Sequence, residues 1–346
     1  MQYQPRLPKS YSPPIGLIGC GGITRNHLKA YKTAGLNVVA LCDLNLENAR
    51  QRQEEFYPDA RLFDDYNELL KVDAIEVVDI TTHPHQRPPI VAAALQAKKH
   101  VLSQKPFVLD LDEGEQLVAV AKENGRLLAV NQNGRWAPHF RYIQCAIDEG
   151  LLGDLCGVHM SVHWDHDAAV KGSEFEKVHQ LILYDYAIHW FDLLSSWLPE
   201  PQQVFATLTS APGQTIPPPL LGQAIVGYEN AQASLAFDAF TPVGSQDRTF
   251  VAGTKGTISS VGPGNKVQRL TMETATGVEQ PQLEGSWFPD GFRGTMGELL
   301  CAIEEGRQPT ISAESNLRSL ALCFAAVFSA ERSEIVVPGE VRQLPK

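Results

Sequence analysis

Short, continuous apolar runs alternate with helix-like segments between residues 15 and 131. The runs occupy residues 15–18, 38–42, 74–80, 100–102 and 127–130. Continuous runs rich in β-branched residues are typical of strands that are covered on both faces. Helices are indicated between them, one closed by Gly35 and one opened by Asn45 as its N-cap. This alternation predicts right-handed βαβ units and therefore an α/β domain with a doubly wound parallel sheet.

After about residue 130 the apolar pattern changes. Residues 157–165 alternate strictly between apolar and polar side chains, as in a strand with one buried face. Further strand-like runs occupy residues 202–209, 222–228, 232–238, 249–252 and 257–260, and two helices close the chain at about 294–305 and 313–330. An open, largely antiparallel sheet in an α+β domain explains this pattern.

These patterns predict three parts of the chain. Residues 1–14 form an N-terminal tail, residues 15–131 the domain with the parallel sheet, and residues 132–346 the α+β domain. The final helices of the α+β domain can pack back on the first domain.

Composition and charge exclude some classes of partner for this chain. Of its 346 residues 43% are hydrophobic and 20% charged, as is ordinary for a globular protein. The net charge of −11 repels a phosphate backbone, so we expect no nucleic-acid partner. No apolar run approaches the roughly 20 residues that cross a bilayer, and residues 1–14 do not resemble a signal peptide. We therefore expect a cytoplasmic protein without a membrane partner, whose six cysteines are reduced thiols.

A glycine turn follows the first predicted strand and precedes the first predicted helix, at residues 19–22. Gly19 allows a tight turn, and Gly21 lets the backbone approach a ligand without a Cβ in the way. The N–H groups at the helix start, around Gly22 and Ile23, would then bind phosphate oxygens. This context predicts a site for the pyrophosphate of a dinucleotide.

Asp43 ends the second predicted strand. An acid in this place hydrogen-bonds the adenine ribose hydroxyls of NAD, and it would repel the 2′-phosphate of NADP. No arginine follows at positions 44 and 45. We therefore expect a Rossmann domain that binds NAD, with NADP less favoured. Thr24 stands where the dinucleotide fingerprint has its third glycine, which we expect to loosen the packing of helix on strand.

Several separated motifs occur in one order along the chain. Residues 81–85 read Thr-Thr-His-Pro-His, residues 99–106 read Lys-His-Val-Leu-Ser-Gln-Lys-Pro, and Asp185-x-x-x-His189 follows in the C-terminal part. With Gly-Thr-Lys-Gly-Thr at residues 253–257 and the closing helices, they resemble the Gfo/Idh/MocA family, named for glucose–fructose oxidoreductase and inositol dehydrogenase. The likeness spans nearly the whole chain. It implies an N-terminal Rossmann domain and a C-terminal α+β domain that binds substrate and forms oligomers.

The resemblance implies catalytic roles for three residues. Lys105 corresponds to the lysine of the family's Glu-Lys-Pro motif, and Asp185 and His189 correspond to its D-x-x-x-H motif, with the i,i+4 spacing of one helix face. A carboxylate fixes the tautomer of a neighbouring imidazole, so His189 would remove a hydroxyl proton while Lys105 stabilises the alkoxide. Gln104 replaces the family's glutamate, which leaves the detailed role of Lys105 open. The implied cofactor set also includes Thr82, His85, Gln104 and Lys105.

Six further side chains are candidates for a substrate pocket. They are Asn133, Trp136, His163, Asp165, His166 and His179. Trp136 would either stack on a sugar ring or belong to the core, and both interpretations stay open. His159 and His163 would lie about 13 Å apart on a strand that rises about 3.3 Å per residue, too far to share an ion. We therefore expect no metal site.

The resemblance implies hydride transfer between NAD and a secondary alcohol of a sugar, cyclitol or related polyol. Two alternatives stay open on the same fold, an NAD-using glycoside hydrolase with no net redox change and a non-enzymatic ligand-sensing regulator. A regulator has no need of Lys105, Asp185 and His189. Because one face of the second sheet is left uncovered, we also expect a homodimer or homotetramer.

Overall fold

The computed structural model describes residues 1–178, 180–264 and 266–344. The chain forms two compact units. The first unit consists of residues 5–136 and 288–317, and the second of residues 1–4, 137–287 and 318–346. Within the described residues, none of the helices combines the length and the apolar character needed to cross a membrane.

The first unit is built around a six-stranded parallel sheet. Its strands are β1 (Ile15–Ile18), β2 (Val38–Cys42), β3 (Arg61–Phe63), β4 (Val77–Ile80), β5 (His100–Ser103) and β6 (Leu128–Val130). Their order is β3-β2-β1-β4-β5-β6, and every neighbouring pair is parallel. This is the strand order of a dinucleotide-binding Rossmann fold, so the predicted doubly wound sheet is confirmed.

Helices connect these strands as the sequence pattern predicts. They are α1 (Thr24–Thr33), α2 (Leu46–Phe56), α3 (Tyr66–Leu70), α4 (Arg87–Gln96) and α5 (Leu111–Glu123). The Asn45 side chain accepts the Glu47 backbone N–H and caps α2, which confirms the predicted N-cap. Gly35, which follows α1, has a φ of +71°, a conformation that suits glycine at the end of a helix.

The second unit contains an eight-stranded sheet. Its first elements are α6 (Pro138–Asp148), β7 (Leu155–His163), α7 (His166–Val170), a π-helical segment (Leu181–Tyr186) and α8 (Ile188–Trp197). The remaining strands are β8 (Gln203–Thr209), β9 (Leu221–Gly227), β10 (Gln232–Asp238), β11 (Gln246–Gly253), β12 (Gly256–Gly262), β13 (Arg269–Thr274) and β14 (Gly277–Glu279). The order is β14-β13-β12-β11-β7-β10-β9-β8, and all pairs are antiparallel except β7 with β10. An open, largely antiparallel sheet is thereby confirmed.

One face of this sheet is buried and the other is open. On β7, Val158, Met160 and Val162 are at most 3% exposed, while His159 and His163 alternate with them and are half-buried. We call the side of His159 and His163 the open face. The polar residues of β7 therefore lie on the opposite face from the apolar residues, as the alternation in the sequence predicts.

Two helices close the chain, α9 (Trp287–Glu305) and α10 (Ala313–Arg332). From α9, Phe292, Met296, Leu299 and Leu300 enter the core of the first unit. That core also holds residues of β1 and β2. The first unit thus takes part of its core from residues far along the chain.

Candidate active site

The glycine turn lies between β1 and α1 in the first unit. Gly19 has a φ of +94°, and a Cβ built there would lie 3.0 Å from Thr81 Oγ1 and 3.1 Å from the Thr82 amide nitrogen, so the position requires glycine. Cβ atoms built on Gly21 and Gly22 meet no atom within 4 Å. The backbone there is open to a ligand, directly before the N-terminus of α1, and this arrangement fits a dinucleotide pyrophosphate.

Thr24, in place of the fingerprint's third glycine, is fully buried. Its hydroxyl donates to the Gly19 carbonyl at 2.8 Å and lies 3.0 Å from the Thr81 hydroxyl. The Thr81 hydroxyl donates to the same carbonyl at 2.5 Å. Hydrogen bonds therefore hold the start of α1 to the turn, where we expected looser packing.

Asp43 is half-buried beside the glycine turn. Its Oδ2 accepts the Cys20 backbone N–H at 2.7 Å, and its Oδ1 accepts the Asn45 N–H at 2.9 Å. These bonds fix the carboxylate at the carboxyl end of β2, where NAD-binding Rossmann domains hold the ribose. Arg52, which the sequence analysis did not consider, donates to the Gly21 carbonyl at 3.2 Å, so a cation also borders the turn.

The other predicted cofactor residues follow the strands of the same sheet. Ile23 precedes α1, Thr82 and His85 follow β4, and Gln104 and Lys105 follow β5. Carboxyl ends of parallel strands meet at one edge of the sheet. The first unit therefore brings the predicted cofactor residues to a single edge.

Arg87, at the start of α4, is almost fully buried and ties together the loops that carry Thr82 and Lys105. Its guanidinium donates to the Thr82 carbonyl, from Nε at 3.1 Å, and to the carbonyls of Gln104 and Pro106. Because Gln104 and Pro106 flank Lys105, these bonds fix the backbone that carries the lysine. No motif pointed to Arg87, although a charge at the start of an apolar helix was a signal.

Asp185 and His189 lie in the second unit, on consecutive helical segments. Asp185 belongs to the π-helical segment, whose last turn closes with a 2.8 Å hydrogen bond from the Ala187 N–H to the Ile182 carbonyl. His189 lies in the first turn of α8. Asp185 thus lies in a wider turn, and the regular helix that carries His189 begins only after it. Such turns are rare and often occur at functional sites.

The rings of Trp287 and Trp190 lie close to His189. Its imidazole is 7% exposed and meets the Trp287 ring edge-on, with ring centroids 5.2 Å apart. Trp287 lies 5.7 Å from Trp190 and 6.4 Å from Trp164. Tyr186 packs 5.2 Å from Trp164 and 4.9 Å from Trp190. We call Trp164, Tyr186, Trp190 and Trp287 the aromatic cluster. It gives the imidazole a largely apolar setting.

The structure separates the predicted substrate residues near the end of β7. His166 joins the aromatic cluster, with its ring centroid 4.1 Å from that of Tyr186. Asp165 caps α7 instead, accepting the Ala168 N–H at 3.1 Å. His179 lies outside the described residues. Of these three candidates, His166 is the one that packs on the aromatic cluster, against Trp164 and Tyr186.

His159 and His163 lie on the open face of the sheet. His163 Nδ1 is 2.8 Å from Asp238 Oδ2, and His159 Nδ1 is 2.7 Å from Ser234 Oγ. Each imidazole thus has its own partner on β10. Among the residues that the structure describes, no group of three His, Cys, Asp or Glu side chains is arranged to hold a metal ion.

Asn133 and Trp136 belong to a short helical turn of the first unit, and both are buried. A Cβ built on Gly294 of α9 would lie 2.1 Å from Trp136 Cγ. The indole therefore packs directly against the α9 backbone. Of the two interpretations left open for Trp136, this position favours the core.

Asp247, on β11, is a buried acid that the sequence analysis missed. It is 2% exposed and lies beside Trp164 of the aromatic cluster. Burial raises the pKa of Asp247 to about 8, and the donors of Trp164 and of the His163 backbone only partly offset this. The carboxyl is therefore mostly uncharged at neutral pH, and it adds little negative charge next to Trp164.

Two family models match the chain. A model described as an oxidoreductase family with an NAD-binding Rossmann fold matches residues 14–132. A model described as the GFO/IDH/MocA C-terminal domain matches residues 140–259. Together the two ranges cover well over half of the chain.

Proteins of named activity align with most of the chain. A D-apiose dehydrogenase from Paraburkholderia graminis is 26% identical over 333 residues, which span 92% of this chain and 88% of the relative. An inositol 2-dehydrogenase from Rhizobium meliloti is 26% identical over 333 residues, which span 93% and 98%. An Agrobacterium radiobacter oxidoreductase, solved with NAD+, L-tartaric acid and magnesium, superposes with a TM-score of 0.85 over 95% of this chain and 99% of its own, at 21% identity. This last likeness bears on the fold alone.

Proposed function

Because the chain belongs to the Gfo/Idh/MocA family of NAD-binding oxidoreductases, we propose that it is an NAD-dependent dehydrogenase of a sugar, cyclitol or related polyol. It would oxidise a secondary alcohol of that substrate. The observation that carries the proposal is the position of His189, a buried proton-transfer group that packs against Trp287 of the aromatic cluster. Relatives named D-apiose dehydrogenase and inositol 2-dehydrogenase support the same substrate class.

Oxidation of a secondary alcohol needs a base for the hydroxyl proton and an acceptor for the hydride. NAD supplies the hydride acceptor. We assign the base to His189, because imidazole is the side chain best suited to proton transfer near neutral pH. We assign Asp185 to fixing the tautomer of that imidazole. Lys105 would stabilise the negative charge that develops on the alcohol oxygen.

The aromatic cluster supports a carbohydrate-like substrate. Flat rings pack well against the C–H faces of a sugar or cyclitol ring, while a few polar groups select its hydroxyls. His166 lies 5.8 Å from Trp164 in a stacked arrangement and is the polar neighbour that we assign to a substrate hydroxyl. Trp136, His163 and Asp165 have the other partners described above, and we give them no substrate contact, whereas we keep Asn133 as a proposed substrate residue.

Asp43 is the residue that we expect to select NAD over NADP. Replacing Asp43 with Asn removes the charge that repels a 2′-phosphate but keeps an oxygen that can accept the Cys20 N–H. We expect the ratio of kcat/KM for NAD to that for NADP to fall by about tenfold, the scale of one charged hydrogen bond. Steady-state kinetics with both cofactors measures this ratio.

The matched control for Asp43 is Asp59, an exposed acid that precedes β3 and so lies at the opposite, amino ends of the parallel strands. Asp59→Asn removes the same charge away from the glycine turn and should leave the ratio unchanged. An unaltered ratio in Asp43→Asn would remove Asp43 from the ribose site.

Product analysis separates the proposed dehydrogenase from the two alternatives. We expect NADH to accumulate when the protein is incubated with NAD and a panel of sugars, sugar acids and inositols. Hydrolysis of a glycoside without net NADH would instead support the glycoside hydrolase. Binding of ligand with no turnover would support a regulator.

A second copy of the chain is the partner that we propose for the open face. Phe205, Ile225 and Phe250 are exposed there, and strand pairing places them in one row across the sheet with Ser234 and His159 between them. Apolar side chains aligned on an uncovered sheet favour self-association. A homodimer or homotetramer is therefore expected, and sedimentation equilibrium will give the number of subunits.

The compartment that we propose is the cytoplasm. All six cysteines lie among the described residues, and all are free thiols, the state that a reducing compartment maintains. The net charge of −11 fits an enzyme of small molecules that does not bind nucleic acid.

A further inference from the structure

A chain of buried hydrogen bonds in the first unit ends at the backbone of Lys105. His27 Nδ1 lies 2.7 Å from Asp79 Oδ2, while His27 Nε2 lies 3.1 Å from Asn131 Nδ2 and 3.3 Å from Gln104 Nε2. Gln104 Oε1 accepts the Lys105 N–H at 2.7 Å and the Asn131 amide at 3.1 Å. We call His27, Asp79, Gln104 and Asn131 the buried network. Each of them is at most 5% exposed.

The Lys105 N–H sets the orientation of both amides in the buried network. A backbone N–H can only donate, so Gln104 must turn Oε1 toward it and its NH2 group toward His27. Asn131 must then turn its NH2 group toward Gln104 Oε1, which leaves its Oδ1 to accept the Thr295 hydroxyl at 2.7 Å. Two amide donors therefore face His27 Nε2. The imidazole must accept there, so it is neutral and carries its proton on Nδ1.

We propose that Gln104 is a positioning residue for Lys105, and that the His27–Asp79 pair requires an uncharged amide at position 104. The inference rests on the proposed function, in which Lys105 acts on the substrate alcohol. Gln104 holds the Lys105 peptide from its N–H side, while Arg87 holds the carbonyls of the flanking residues. The lysine backbone is thus fixed from two directions.

A carboxylate at position 104 would conflict with this arrangement. One of its oxygens would face the lone pair of His27 Nε2, and two buried acceptors repel unless a proton lies between them. In Gln104→Glu the imidazole must therefore take a second proton, which makes it a cation between two carboxylates. When that proton is lost at higher pH, the repulsion returns and the Lys105 peptide shifts.

The groups that face the His27 imidazole come from several elements. Among the residues that the structure describes, Asp79 of β4 and Tyr31 of α1 are the titratable ones, and the Tyr31 hydroxyl donates to Asp79 Oδ2 at 2.7 Å. The pKa of Tyr31 lies well above its ordinary value, first because it is buried and then because of Asp79. The ends of β5 and β6 contribute the two amides, and α9 contributes the Phe292 ring, 4.7 Å away.

Kinetics of Gln104→Glu across pH test the positioning role. We expect kcat at alkaline pH to fall by about tenfold to a hundredfold, the cost of one unsatisfied buried group, and to recover as the pH is lowered. The circular dichroism spectrum of the variant should match that of the wild type, which shows that the variant is folded. Gln96→Glu, at the exposed end of α4, makes the same charge change and should follow the wild-type pH profile.

A second substitution should rescue the first. In Asp79→Asn the new amide can donate to His27 Nδ1, so the imidazole proton can move to Nε2, where the carboxylate of Gln104→Glu accepts it. The double variant should therefore have a higher kcat than the product of the two single effects predicts. A kcat equal to that product would contradict the coupling.

Imidazole ¹⁵N–¹H spectra test the buried network without reference to catalysis. With His27 assigned through His27→Gln, we expect a proton on Nδ1 alone in the wild type and on both nitrogens in Gln104→Glu. A wild-type proton on Nε2, or identical spectra and pH profiles in both proteins, overturns the inference. If the spectra show the expected protons but Lys105→Ala keeps full activity, the proposed role of Lys105 is wrong. If the spectra do not show the expected protons and Lys105→Ala is inactive, the inference about Gln104 is wrong and the proposed function stands.

Discussion

Replacement of His189 with asparagine is expected to lower kcat by about 10²–10⁴-fold, the contribution of a positioned acid–base group. On the proposed function His189 removes the hydroxyl proton as the hydride leaves the same carbon, and asparagine cannot take that proton. The glycine turn and Asp43 belong to the first unit and are untouched by the substitution, so the Kd for NAD should not change. Stopped-flow measurement of NADH formation and a fluorescence titration with NAD give the two quantities.

His139 offers a matched control for His189. It is another buried imidazole of the second unit, and burial lowers the pKa of His139 to about 3, which makes it a poor proton acceptor near neutral pH. His139→Asn makes the same change of size and polarity in a buried place. If both variants lost activity equally and in step with lost stability, packing and not proton transfer would explain the result at His189.

Replacement of Lys105 with methionine is expected to lower kcat by about 10²–10³-fold while NAD still binds. The thioether keeps much of the length of the side chain but cannot stabilise an alkoxide. Because Gln104 and Arg87 hold the backbone at this position, the loop should keep its conformation. Single-turnover rates and the Kd for NAD separate a chemical defect from a binding defect.

Lys99 provides the control for Lys105, because it lies next to the opposite, amino end of β5. It is 6% exposed, and its Nζ donates to the Val72 carbonyl at 3.1 Å. Lys99→Met should lose stability and keep its kcat. Full activity in Lys105→Met would remove the lysine from the reaction.

Features of the fold and of the site that depend on residues close together in the chain could be predicted from the sequence. The parallel sheet follows from continuous apolar runs, and the glycine turn and Asp43 follow from their places at strand ends. Strand β3 was missed, because its three residues begin with the exposed Arg61 and carry too short an apolar signal. Local pattern therefore predicts the strands that have a continuous apolar run, including the edge strand β6, and misses the short strand β3.

Features that depend on distant residues could not be predicted. Asp79 carried a visible signal as a charge inside an apolar strand, but nothing in the sequence said that His27, 52 residues away, would meet it. Trp136 packs on Gly294, and its two interpretations could not be separated without that contact. The π-helical segment before His189 likewise depends on tertiary packing, since the spacing to Asp185 reads as an ordinary helix.

Transfer of deuterium from substrate to cofactor tests the central claim most directly. The wild-type protein would be incubated with NAD and a polyol that turns over in the panel, labelled with deuterium at the carbinol carbon. We expect one deuterium in the nicotinamide of each NADH and one ketone for each NADH formed, with a slower rate than for the unlabelled alcohol. Turnover that leaves NAD unreduced, or NADH without deuterium, would contradict direct hydride transfer from a secondary alcohol.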